Sequence, residues 1–242
     1  MKNIFLAFLV FLISSIYEVS GQCPDLTVFL TSQSEVDDFA QNFSNCNNVP
    51  NSVFISGNDI TDISNLSFLN SIQGHLSLNN LGNLISLNGL QNITSLNGSL
   101  TINNCDLITD LNVLSNLTNI GENFDVKNNT NLVTVGSLNN LTSIGESIFI
   151  SDNDILNDIN AFNSIFNPVE RIQINGNNSI SNIDGFSQIS EITNDIRIFN
   201  NPQLQTINGF NGLITLNSFI DIFFNPNLSL INAFNQLSLE FK

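Results

Sequence analysis

Positive charge is almost missing from this chain. Five Lys and Arg stand against twenty-one Asp and Glu in 242 residues, a formal net charge of −16. Such a surface has no basic patch to meet a phosphate backbone or an anionic membrane, which argues against nucleic acid as a partner. Charge of either sign is scarce too, at 11% of residues, where about a quarter is usual. Asn, Ser, Leu and Ile take its place, so the polar surface is mostly uncharged amide and hydroxyl. Histidine occurs once, as His75, and cysteine three times. Those counts leave no ligand set for a His/Cys metal centre. A nucleophilic triad would have to use His75, whose neighbours Ser77 and Asn79 follow an ordinary strand pattern. No catalytic residue, cofactor or metal is therefore expected, and the chain reads as a non-enzyme.

Long apolar runs are also missing. Ile4 to Ile13 is apolar but far short of the roughly 20 residues that span a bilayer. Lys2 precedes it, and Val19 and Gly21 sit at −3 and −1 of a cleavage site before Gln22, so residues 1–21 read as a signal peptide. The expected location is secreted, extracellular or at the cell surface. Export implies an oxidising compartment. Cys23 and Cys46 flank one short N-terminal segment and are expected to form a disulfide, leaving Cys105 as a small buried hydrophobe.

Residues 22–49 read as an N-terminal cap. Leu26 to Leu30 suggest a strand. Ser32 and Glu35 fit a helix-start capping box, and Val36, Phe39, Ala40 and Phe43 then recur on one helical face. Stacked repeats need such a lid, because every coil leaves its core open toward its neighbour.

From residue 50 to 242 the chain repeats itself. Copies of 24 residues begin at Gly74, Gly98, Glu122, Glu146, Glu170, Asn194 and Ser218, and a slightly shorter copy starts near Asn51. These define coils 1 to 8, and positions 1 to 24 within each. Positions 3 and 5 are apolar and often β-branched, as in Ile172/Ile174 and Ile196/Ile198, which predicts one short strand per coil. Position 8 is Asn58, Asn129, Asn153, Asn177, Asn201 or Asn225, read as a corner residue that tolerates left-handed backbone. The apolar spacing then becomes three, as in Leu84, Leu87, Leu90, Ile93 and Leu96, which predicts extended or 3₁₀-like arms. Position 16 is usually small: Gly89, Ala161, Gly185, Gly209, Ala233. The expected fold is mainly β: a right-handed parallel β-solenoid of about eight coils.

The order strand, Asn corner, then L-xx-L-xx-L-xx-I-G resembles the receptor L-domain family of leucine-rich-repeat-like solenoids. Ile60–Leu69 with Ile72–Leu78, and Leu138–Gly145, carry the resemblance most closely. It implies a ligand-binding solenoid, in the form found alone in secreted bacterial proteins. The receptors' cysteine-rich modules, membrane helix and kinase have no counterpart here.

Strand positions 2, 4 and 6 should face outward. In early coils they are bland. Later they hold Lys127, Phe149, Arg171, Arg197, Phe199, Phe219, Asp221 and Phe223. Lys127, Arg171 and Arg197 are three of the four basic residues left after signal removal. Aromatic side chains beside Arg are the usual make-up of an interaction hot spot, so this face is the candidate site for a protein or glycan ligand. The competing reading pairs Arg171 and Arg197 with Asp195 or Asp221 across neighbouring strands. A structural or self-associating surface protein is the alternative function. The last coil has no polar cap before Lys242, which suggests an end-to-end homodimer or a longer chain. Glu122, Glu146 and Glu170 stack at position 1 and read as a solvated ridge. Asp62, Asp110 and Asp158 share position 13 and read as turn residues. Nine Asn-x-Ser/Thr sequons are attributed largely to composition.

Overall fold

Apolar side chains at positions 3 and 5 of each copy put one face of a short strand into a shared core, and repetition does the rest. In the computed structural model, which describes residues 23–238, nine strands form a single parallel sheet. They are Val28–Leu30, Val53–Ser56, Leu76–Asn79, Leu100–Asn103, Phe124–Lys127, Ile148–Ser151, Ile172–Asn175, Ile196–Phe199 and Ile220–Phe223. The pairing advances by one copy per strand, as in Ile172↔Ile196 and Ile196↔Ile220. The chain is a parallel β-solenoid of about eight turns. The signal-peptide reading of residues 1–21 lies outside the described residues.

Two narrower ladders complete each coil. One runs at positions 22 and 23, from Asn48–Val49 to Ser143–Ile144 through five two-residue strands. It is interrupted where Pro168 enters, because proline has no N–H to donate, and resumes through Val169↔Ile192 and the pair Glu191–Ile192 with Thr215–Leu216. The Asn167 side chain fills the gap. Its Oδ1 accepts from Ile144 N (3.2 Å) and its Nδ2 donates to Ile144 O (2.7 Å), replacing both backbone bonds of a strand neighbour. The other ladder runs at positions 13 and 14, through the bridges Asp110↔Thr134↔Asp158 and then Asn182–Ile183, Thr206–Ile207 and Leu230–Ile231.

The period-three arms contain 3₁₀ turns at Ser64–Leu66, Asn112–Leu114 and Asn160–Phe162. Each follows an Asp at position 13 whose Oδ1 accepts the N–H two residues on. Those Asp are therefore turn formers. Small residues at position 16 have a steric cause: a Cβ on Gly185 would sit 2.3 Å from Ile159 O of the preceding coil.

The Asn corner needs correction. The left-handed residue is position 7, not 8: Asn80, Asn104, Asn128, Asp152, Asn200 and Phe224 have φ between 52° and 55°, and Gly176 has φ 68°. Position 8 turns inward. Asn129, Asn153, Asn177 and Asn201 are fully buried and form a ladder along the stack. Each Oδ1 accepts the backbone N–H of the position-8 residue one coil earlier, beginning with Cys105 N to Asn129 Oδ1 at 2.9 Å. Asn58 does not belong to this ladder. The first copy is one residue short, so Asn58 falls on the exposed corner.

A second internal ladder is aromatic. Phe162, Phe186, Phe210 and Phe234 occupy position 17 in successive coils, with ring centroids 5.0–5.3 Å apart and nearly parallel planes. Phe124 meets its start edge-on.

The cap holds the first turn. Cys23 and Cys46 are disulfide-bonded, Cα atoms 4.8 Å apart. Helix α1, Gln33–Phe43, starts at Ser32, whose side chain accepts from Glu35 N. Glu35 reaches back one residue further than a simple capping box, accepting from Thr31 N at 2.6 Å. Val36 and Phe39 are buried under it. The strand begins at Val28, not Leu26, and extends the main sheet beyond the repeats.

Candidate functional site

The strand register decides what the outward face can assemble. Arg171 at position 2 of coil 6 lies one strand from Asp195 at position 2 of coil 7, and Arg197 sits two residues beyond it on the same strand. Asp195 is only 1% exposed. Both arginines clamp it: Arg171 through Nε and Nη2, and Arg197 through Nε (3.1 Å) and Nη2 (3.0 Å). A carboxylate this buried is tolerable because four N–H groups surround it. The guanidinium of Arg197 also lies 5.1 Å from the centroid of Phe219, within cation–π range. The arginine pairing is with Asp195. Asp221 is the register neighbour of Arg197 on the outer side without bonding to it.

Phe199 and Phe223 stack at 4.9 Å with planes 3° apart, and Phe224 meets Phe223 edge-on at 5.2 Å. Arg171, Arg197, Phe199, Phe219, Asp221 and Phe223 thus form one cluster over the last three strands. Phe149 is the register neighbour of Gln173, two strands from Arg197, so it borders the cluster about 10 Å away. Lys127 is not part of it. Its Nζ bonds Asp125 Oδ2 on its own strand at 2.6 Å, three strands from Phe199.

The chain matches no family model, no curated protein and no solved structure.

Two further features belong to the site. Asp195 itself was visible in the outward columns, but its burial had no signal beyond the two arginines placed around it. Phe224 stood outside the outward columns because position 7 is the corner. It is 73% exposed and, with Pro202 and Pro226, walls an open cleft of about 900 Å³ that Asn178, Asn200 and Asn225 complete.

Elsewhere the chemistry is structural. Nδ1 of His75 accepts from Ser99 N at 3.0 Å, while the Ser99 hydroxyl donates to Glu122. That hydroxyl is therefore turned to a carboxylate and not to the imidazole. Glu146 accepts from Asn123 Nδ2. Among the described residues no group of three or more His, Cys, Asp or Glu is placed to share a metal ion. Cys105 is buried, and that burial pushes its thiol up to about 11. The sequons Asn92, Asn116 and Asn140 have a structural reading: each Nδ2 donates to a backbone carbonyl of the preceding coil, and Thr94, Thr118 and Thr142 do the same through Oγ1.

Proposed function

We propose that the chain is a secreted or cell-surface, non-catalytic binding module of the receptor L-domain type, and that it holds a polypeptide ligand against its later strands. The supporting observation is the cluster of Arg171 and Arg197 anchored on buried Asp195 beside Phe149, Phe199 and Phe219. Its guanidinium groups are fixed before any ligand arrives, which lowers the ordering cost of binding. The aromatic geometry favours polypeptide over glycan. A sugar ring stacks on an open aromatic face, whereas Phe199 and Phe223 cover one another and Phe219 lies under Arg197.

The test is capture from extracellular material with residues 22–242, compared with a Phe149→Ser/Phe219→Ser/Phe223→Ser variant and with a glycan array. These positions leave the buried carboxylate partnered. Selective capture of a polypeptide by the parent and not by the variant supports the reading. Equal capture by both, or array binding that survives in the variant, would overturn it.

A further inference from the structure

Coil 8 exposes what every other coil hides. Ile183 and Ile207 at position 14 are fully buried, while Ile231 at the same position is 47% exposed. Ile220, Ile222, Leu228 and Phe234 are likewise only partly covered, although the same positions are sealed in coil 7. The opposite end of the stack is shut by α1 and the Cys23–Cys46 bridge. A head-to-tail contact would meet α1 and a covered core at that end, where the described residues leave only the outer edge of Val28–Leu30 open. Coil 8 of another copy offers the same half-open apolar positions.

Charge distribution points the same way. Residues 211–242 carry only Asp221, Glu240 and Lys242, a net charge of −1 in a chain of net charge −16. Two such molecules repel least through this end. The outer edge of Ile220–Phe223 has no strand neighbour among the described residues, and no Lys, Pro or bulge within the strand guards it. Phe224 adds a fourth sign. It holds φ 52°, where the other coils place Asn, Asp or Gly, and its ring is largely in solvent. A bulky residue in this region is strained, and strain persists where something else depends on it.

We propose that this end face closes on the same face of a second copy around a twofold axis along the sheet normal. That axis reverses the edge strand and keeps the core side toward the core. The two Ile220–Phe223 strands run antiparallel, and each nine-stranded sheet continues into the other. The interface stands independently of the ligand reading. It would also bring both Arg171–Arg197–Phe219 clusters onto one surface, where a ligand with two epitopes gains avidity.

Sedimentation velocity of residues 22–242 across a concentration series tests this. The expected particle has twice the chain mass. Phe224→Asn/Ile231→Lys should sediment as a monomer with unchanged circular dichroism; both side chains are exposed, and Asn suits the left-handed corner. Phe29→Lys, the same added charge at the capped end, should leave the dimer intact. A parent that stays monomeric at every concentration, masses that grow beyond two copies, or a dimer that survives Phe224→Asn/Ile231→Lys would each overturn the proposal.

Discussion

Asn153 uses every polar atom of its amide inside the stack. Its Oδ1 accepts from both the N–H and the Nδ2 of Asn129, and its Nδ2 donates to Val126 O, Ser151 O and Asn177 Oδ1. Asn153→Ala orphans several buried groups at about 1–3 kcal/mol each, so a loss of about 3–5 kcal/mol is expected in denaturant unfolding. Asn153→Cys should cost less. At the same position in coil 3 the Cys105 thiol already reaches Leu78 O and Asn103 O, the two carbonyls to which the amides donate. Burial raises the Cys105 pKa from 9.0 to about 11. Its protonated form therefore supports the fold fully below pH 9, and that support fades as pH rises through 11. Unfolding midpoints should fall over this interval in the parent and stay flatter in Cys105→Ala. Asp195 behaves differently. Either arginine alone keeps it partnered, so Arg171→Ser or Arg197→Ser should be mild, while the double variant leaves an uncompensated buried charge and should lose about 3–5 kcal/mol. Near-additivity in that cycle would show that the pair is not shared.

At the scale of a coil, the sequence exposed the strand and the spacing but not the corner. Period two and period three are burial patterns, and burial is what the core imposes on the chain. The corner was misread because Asn occupies both positions 7 and 8 in Asn128-Asn129 and Asn200-Asn201, and composition cannot say which one turns. Only the backbone separates them, left-handed at position 7 and buried at position 8. The candidate cluster was legible to the extent that a fixed 24-residue register aligns Arg171 with Asp195. Its limit was Lys127, whose partner lies on its own strand and not in the cluster. Phe224 follows from the corner rule. Moving a bulky side chain out of a left-handed conformation recovers about 1 kcal/mol, and little packing is lost at an exposed ring. Phe224→Asn should therefore raise the thermal midpoint of the dilute protein. An unchanged or lower midpoint would mean that the contact with Phe223 matters more than the backbone.

Across the whole molecule, stability should not be uniform. Each coil contacts mainly its neighbours, so opening starts at whichever end is weaker and propagates inward. The N-terminal end has α1, a disulfide closing 23 residues of sequence, and buried Val36 and Phe39. Coil 8 has half-open Ile220, Ile222 and Phe234 and a ladder whose last member, Asn225, only partly leaves solvent. Hydrogen exchange on the dilute protein should show the least protection at Ile220–Phe223 and Leu230–Ile231, rising over one or two coils to a plateau through coils 2 to 6. Reducing Cys23–Cys46 removes a constraint worth about 3 kcal/mol for a loop of this size. It should lower protection in α1 and Val28–Leu30 while leaving the middle coils unchanged. Raising the protein concentration should do the reverse at the other end, slowing exchange most at Ile220–Phe223 and less at Leu230–Ile231, because association covers that strand edge and holds coil 8 closed. Uniform protection along the stack would mean that the eight coils open as a single cooperative unit, with the ladders of Asn and Phe coupling the ends more tightly than nearest-neighbour contacts allow.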